Sequence, residues 1–288
     1  MKSNTLKLTG DGLPNELRSI SSPPKQLYCR GTTPLAEILK RPCVAIVGSR
    51  GPSAYGQQVT TRLARQLAEQ GIAIISGLAF GVDALAHQAA LEVGGLCVAV
   101  LPGPLDKIYP RSNERLGQEI LRNGGALVSE YDAGEISYKQ NFIARNRLVA
   151  GLAQAVLVTE AGEGSGSLHT ARFARKQGKK VLVVPGNITS PTSFGTNELL
   201  KSGAAAVTKY QDVLCALGIN AHKTPAKQIK GSNEDEQTIL ELLLSGASKA
   251  DELLAKSGLG TSRFNQTLTM LEVSGKIRPL GINQWTIS

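Results

Sequence analysis

The stretch "CVAIVGSRGPSAYGQQVTTRLARQLAEQGIAIISG", Cys43–Gly77, decides the fold. It opens on an apolar run, Val44–Val47, and closes on another, Ile72–Ile75. Neither run alternates with polar residues, so each reads as a strand covered on both faces, as in a parallel sheet. Between them lie a loop of small residues starting at Gly48 and a helical pattern over Ala54–Gln70. Gly71 follows that pattern and supplies the left-handed stop that ends a helix. Strand, loop, helix and strand make one βαβ unit, with its two strands parallel.

The unit repeats along the chain. Apolar runs recur at Leu96–Leu101, Ala126–Val128, Ala155–Val158 and Val181–Val184. Helical patterns separate or follow them at Asp83–Val93, Ser112–Asn123, Phe142–Leu152, Ser167–Gln177 and Glu198–Ser202. The expected fold class is therefore α/β: a Rossmann-like doubly wound parallel sheet over residues 43–218. Residues 1–42 are irregular, with a proline pair and one short strand-like run in "SSPPKQLYCRG" (Ser21–Gly31), and are expected to form an N-terminal arm packed on that core. Residues 219–236 have little apolar content and read as a linker. Beyond it, Gln237–Leu244, Lys249–Lys256 and Ser262–Val273 read as three short helices, and Gly275–Ser288 as a hairpin. Three helices and a hairpin, over residues 237–288, are the order of a small C-terminal winged-helix domain.

Composition narrows the function classes. Among 288 residues, 32 Lys and Arg against 23 Asp and Glu leave a net charge of +9, which favours polyanionic partners. The four cysteines, Cys29, Cys43, Cys97 and Cys215, form no CxxC pair, and a reducing compartment without structural zinc fits them. No apolar run approaches the length of a membrane span, and "MKSNTLKLTG" has no apolar core of a secretory signal. A cytoplasmic protein with no membrane partner is expected.

In a doubly wound sheet, ligands bind beyond the C-terminal strand ends. Here those ends are rich in small residues. In "VGSRGPSAYG", Gly48 and Ser49 permit a close backbone approach to a phosphate, and Arg50 can add a charged fork. This is neither GxGxxG nor GxxxxGK[ST], so no dinucleotide or P-loop site is expected, and no other cofactor. In "SGLAFGVDALAH", Asp83 suits a helix cap, and His87 reads as a packed histidine. Phe142, Arg145, Asn146 and Arg147 place an aromatic ring beside two guanidinium groups, the mixture that holds single strands. A solvated helix start with one core Phe explains them equally well.

"TEAGEGSGSLHTARFARKQGKK", Thr159–Lys180, joins a loop containing Ser165, Gly166 and Ser167 to a helix with Arg172, Arg175, Lys176 and Lys179 on one face. An anion along that face relieves its self-repulsion; a solvated face is the alternative. "PGNITSPTSFGTNELL" again offers Gly195, Thr196 and Asn197 before a helix. No nucleophile–histidine–acid set, metal cluster or carboxylate pair is evident, so no catalytic or metal-binding residue is assigned. Glu160 is the one obvious candidate acid, and it can equally orient a loop.

Taken in order, "VAIVGSR", "SGLAFGVD", "AVLPGPLDKIYP", "SEY", "RNR", "EAGEGSGSLHTA", "VPG" and "GTNELLKSGA" resemble the DNA-processing protein A (DprA, or Smf) family, from about Leu13 to Val207. The resemblance implies a non-enzymatic single-stranded DNA binder that protects incoming DNA during natural transformation. It also implies a homodimer that loads the RecA recombinase. The family's phosphate pocket would fall on Gly48, Ser49, Arg50, Phe142, Arg145, Asn146, Ser165, Gly166, Ser167, Lys179 and Lys180. Two departures stand out: Phe80 where members often have arginine, and Ile143 where they often have proline. Only an arm stands where many members carry a helix-rich N-terminal domain.

The competing reading is a nucleotide-processing enzyme of the nucleoside-hydrolase kind with Glu160 as its acid. The separation of "VPG" from "GTNE" argues against it. For the dimer, Val213, Leu214 and Leu217 share a helical face in the last element before the linker and are the candidate contact; ordinary core is the alternative, since an edge helix needs an apolar face. In the tail, the third helix holds only Arg263 as a base, so operator recognition is not expected.

Overall fold

Seven parallel strands form the centre of the computed structural model, which describes residues 5–219, 231–245, 247–281 and 283–287. The strands are β1 (Leu6–Thr9), β2 (Gln26–Gly31), β3 (Cys43–Val47), β4 (Ala73–Ser76), β5 (Cys97–Val100), β6 (Ala126–Ser129), β7 (Ala155–Val158), β8 (Lys180–Val183) and β9 (Ala205–Ala206). Their order in the sheet is β1-β2-β6-β5-β4-β3-β7-β8-β9. From β3 the chain winds outward through β4 and β5 to β6, then returns to β7 on the other side of β3. The order reverses between β3 and β7, where Ala45 pairs with Ile75 on one side and Val156 on the other. Such a switch point opens a crevice at the C-terminal strand ends.

The helices of this unit are α1 (Asn15–Arg18), α2 (Leu35–Leu39), α3 (Ala54–Glu69), α4 (Val82–Leu91), α5 (Glu114–Arg122), α6 (Lys139–Leu152), α7 (Ser167–Lys176), α8 (Phe194–Lys201) and α9 (Tyr210–Ala216). They cover both faces of the sheet. Along β3, Cys43, Ala45 and Val47 join one apolar cluster, with Leu17, Ile38 and Leu148. Val44 and Ile46 join the other, with Leu67, Ala86 and Ile120. This two-sided burial is why the strands read as unbroken apolar runs.

The first 42 residues do more than lie on the core. β2 pairs antiparallel with β6, and β1 with β2, so this segment extends the sheet. Leu17, Leu27 and Ile38 are fully buried. β2 falls on the short strand-like run expected within Ser21–Gly31, while β1 is four residues long and alternates apolar with polar positions, so no apolar run marks it.

The expected dimer face is corrected. Val213 and Leu214 of α9 are buried in the apolar cluster under α3, so neither is available for a symmetric contact. Short α9 must bury its apolar face to dock at all.

The chain divides into two compact units at residues 221 and 222. Most of the expected linker, residues 220–230, lies outside the described residues. Its end differs from expectation: α10 (Glu234–Leu244) starts three positions early, capped by the Asn233 side chain, which accepts from the Glu236 N–H at 2.8 Å. With α11 (Ala250–Ser257), α12 (Thr261–Val273) and the hairpin β10 (Ile277–Gly281)–β11 (Gln284–Ile287), it forms a winged helix around Ile239, Leu253, Phe264 and Leu271. Arg263 at the start of α12 pairs with Asp235 at 2.5 Å, so the base of that helix is already neutralised.

Candidate nucleic-acid interface

The switch point holds a cavity of about 480 Å³. Three segments wall it: Gly48–Gly51 after β3, Gly162–Ser167 after β7, and the first turns of α6 with Phe142, Arg145 and Asn146. The close packing of these loops explains the glycines. A Cβ on Gly48 would stand 2.7 Å from the Glu160 carbonyl oxygen, and one on Gly81 would stand 2.4 Å from that of Ser49. Gly81 also has φ +73°, which favours glycine. The Ser49 N–H donates to the Glu160 carbonyl at 2.7 Å, and the Val82 N–H to the Ser49 carbonyl at 3.1 Å. The loops after β3, β4 and β7 are thus one bonded assembly.

Arg50 is exposed, and its guanidinium lies 5.6 Å from the centre of the Phe142 ring. The Tyr109 ring meets the same Phe142 edge-on, 5.4 Å between centroids. On the opposite wall, no side chain caps the first turn of α7, which starts beside Ser165 and Ser167; the N–H groups of Leu168 and His169 bond back to the carbonyls of Ser165 and Gly166. The two hydroxyls lie 2.8 Å apart, and the Asn146 amide donates to the Gly166 carbonyl at 3.2 Å, tying α6 to this loop. Glu163 is the acid at the rim. The result is an anion cradle of backbone, hydroxyls and one exposed guanidinium, with an aromatic face at its side.

Arg145 reaches the cavity but is buried, at 4% exposure. Its guanidinium donates to the carbonyl of Gly77 at 2.8 Å and to that of Val100. Burial pushes its pKa down to about 10, with the charge of Asp83 opposing that shift. Arg145 therefore braces the floor of the cavity rather than presenting a free charge. Asp83 also differs from its expected cap role. It sits within the first turn of α4, and its carboxylate accepts from the Gly77 N–H at 3.0 Å, back in the loop. Burial raises its pKa, and Arg145 pulls it back. Arg147 is engaged too, with Glu130 at 2.5 Å.

Lys179 and Lys180 stand away from the cavity. Lys180 starts β8, at the end of the strand opposite to the cavity, and its ammonium donates to the Ala216 carbonyl at 2.6 Å. Lys179 precedes it, half-buried, its pKa lowered by burial against the pull of Glu16. A parallel strand separates its two ends, so residues entering β8 do not share a site with residues leaving β7. The basic face of α7 is also partly spent: Arg175 donates to the carbonyls of Leu199 and Ser202 at the end of α8. Thr196 and Asn197 hold the loop after β8, Asn197 through the N–H and carbonyl of Gly186.

Glu160 is 2% exposed, and its carboxylate accepts from the N–H of Ser53, at 2.9 Å, and from the Ser53 hydroxyl. A Cβ on Gly56 would stand 2.4 Å from the same carboxylate. It fixes the entry to α3. Gly162 and Thr170 line the cavity without having been singled out in the sequence. Gly162 sits in the same glycine-rich loop, while Thr170 carries no local signal.

A family model described as DNA recombination-mediator protein A matches residues 4–218, and one described as the DprA winged helix domain matches residues 223–281. The chain belongs to the DprA family. The Streptococcus pneumoniae DNA processing protein DprA is 40% identical over 210 residues, 73% of each chain. A Mycobacterium tuberculosis protein described as a putative DNA processing protein DprA is 38% identical over 258 residues, 88% of this chain. This chain spans 66% of that relative's length. Among solved structures, Helicobacter pylori DNA processing protein A, studied for its single-stranded DNA binding mode, is 40% identical. Its TM-score is 0.66, over 75% of this chain and 98% of that one. The S. pneumoniae DprA structure is 38% identical with a TM-score of 0.68, over 77% and 76%. The DprA family thus accounts for both compact units of the chain.

Proposed function

We propose that this chain binds single-stranded DNA in the switch-point crevice, without cleaving it, and mediates recombination by delivering strands to RecA. The observation that carries this reading is the pairing of exposed Arg50 with the Phe142 ring across from the uncapped start of α7. Phosphates suit the guanidinium and the hydroxyls of the glycine-serine loop; bases suit the ring. The H. pylori relative, whose structure concerns single-stranded DNA binding, supports the same class of ligand here. The wider proposal is a cytoplasmic homodimer that protects incoming DNA during natural transformation. No helix among the described residues is long and apolar enough to cross a membrane.

The test is fluorescence anisotropy of labelled oligo-dT against duplex of equal length, followed by RecA strand exchange on strands coated with single-strand-binding protein. Preference for the single strand and stimulation of RecA are expected. Equal affinity for duplex, or base release from nucleoside monophosphates, overturns the reading. Against the nucleoside-hydrolase alternative stands Glu160, whose carboxylate is taken up by Ser53.

A further inference from the structure

The crevice has an aromatic shoulder whose rings come from three different strand ends. Phe142 belongs to the connection from β6 to β7, Tyr109 to the loop after β5, and Phe80 to the loop after β4. Phe80 is 47% exposed and Tyr109 53%. Exposed rings are common, but Tyr109 packs edge-on against Phe142, and the backbone on either side of Phe80 is fixed by its neighbours. Leu78 takes a left-handed backbone, φ +55°, while burying its own side chain completely. That conformation is costly for a branched residue and persists only where its surroundings enforce it. The enforcing contacts are visible. Asn113, four residues after Tyr109, donates its amide to the carbonyls of Leu78, at 3.0 Å, and Ala79, at 3.2 Å. On the other side of Phe80, Gly81 lies against the backbone of Ser49 and Arg50. Phe80 is therefore clamped between the loop that bears Tyr109 and the loop that bears Arg50.

We propose that Phe80 and Tyr109 form a base-stacking subsite that continues the phosphate crevice over the ends of β4 and β5. The inference rests on the single-strand reading above and adds the direction the strand takes and the residues that grip its bases. Ala79, the neighbour of Phe80, lines the crevice, so a strand with phosphates at Arg50 has its next nucleotides over this shoulder. Aromatic faces accept any base, so the subsite adds affinity without sequence preference. Its rigidity matters: rings already fixed lose little freedom when a base stacks on them.

The experiment compares oligo-dT with an abasic strand of equal length and equal phosphate number, using wild type, Phe80→Ala, Tyr109→Ala and Phe80→Trp. Wild type is expected to bind oligo-dT more tightly than the abasic strand. Each alanine variant loses about tenfold on oligo-dT and nothing on the abasic strand, with an unchanged salt slope. Phe80→Trp retains affinity, and its added fluorescence is quenched by oligo-dT and not by the abasic strand. Equal losses on both strands, or undiminished oligo-dT binding by both alanine variants, overturns the subsite while leaving single-strand binding intact. Absence of binding by wild type to either strand overturns the underlying function itself. Melting curves identify any variant that has lost its fold, and the quenching experiment then decides alone.

Discussion

The guanidinium of Arg145 occupies the space where any side chain on residue 77 would begin: a Cβ on Gly77 would stand 2.4 Å from its Nη2. The same guanidinium donates to the carbonyls of Gly77 and Val100, at the ends of two neighbouring strands. Arg145→Ala strips these carbonyls of their donor and leaves Asp83 without its compensating charge. Removing one member of a buried charged set costs about 3–5 kcal/mol. Urea denaturation is expected to show a loss of that size. A variant of wild-type stability that has lost DNA affinity would instead make Arg145 a direct phosphate ligand.

Arg50 is expected to behave in the opposite way. It is exposed and stacks on Phe142, so its loss removes no buried contact. Arg50→Ala should weaken oligo-dT binding about tenfold or more, as for a charged hydrogen bond of roughly 1.5–3 kcal/mol. The melting temperature should barely change. Unaltered affinity in a gel-shift titration removes Arg50 from the site.

The two arginines show how far the sequence could be read. The six apolar runs became β3 to β8, because a strand buried on both faces has no polar position to obscure it. The crevice was legible for a related reason. Ligands sit at C-terminal strand ends; Gly48–Arg50 follow β3 directly, and Ser165–Ser167 end the glycine-rich loop that leaves β7. What was not legible was direction within an element. Arg145 and Arg147 look alike on α6, yet one points into the floor and the other to Glu130. Lys179 and Lys180 continue the basic helix in sequence but enter the next strand, a full strand length away from the crevice. β1 and β9 are short edge strands with partly exposed residues, so no apolar run announced them, whereas β2 falls on the short strand-like run within Ser21–Gly31.

Lys179 and Lys180 supply a direct test of that placement. Lys180 holds the Ala216 carbonyl of α9, and neither lysine lines the crevice. Lys179→Gln with Lys180→Gln should leave oligo-dT affinity within about twofold. If both contacted phosphates, the log–log salt slope would fall by about 1.4, from roughly 0.7 for each contact on a single strand. A change of that size in a titration from low to high salt would restore them to the site.

Glu160 separates a structural acid from a catalytic one. Its carboxylate receives the Ser53 N–H and hydroxyl in a buried setting. Glu160→Ala leaves the N–H without an acceptor and should destabilise the fold by about 1–3 kcal/mol. Glu160→Gln keeps an acceptor oxygen and should retain most stability and DNA affinity. A folded Glu160→Gln protein that loses a base-releasing activity present in wild type would establish the enzyme reading instead.

His87 predicts an acid-side loss of stability. It is fully buried on α4, and neither ring nitrogen has a hydrogen-bond partner. Burial, with Arg145 adding to it, depresses its pKa from 6.5 to about 3. The unfolded chain therefore takes up a proton near pH 6.5, which the folded chain refuses until about pH 3. Stability is fully present above pH 6.5 and falls as the pH drops through that window. The slope for one proton is at most about 1.4 kcal/mol per pH unit. Other titrating groups, buried Asp83 among them, are shared with a variant that lacks only this imidazole, so the difference between the two proteins isolates the histidine. Replacing His87 by glutamine removes the titrating group while keeping a polar side chain of similar reach. Denaturation of the two proteins at matched pH should converge as the pH falls, because only the wild type loses stability to this proton. Parallel curves for wild type and His87→Gln would mean that His87 accepts its proton in the folded state, through an opening of α4 that the closed structure does not contain.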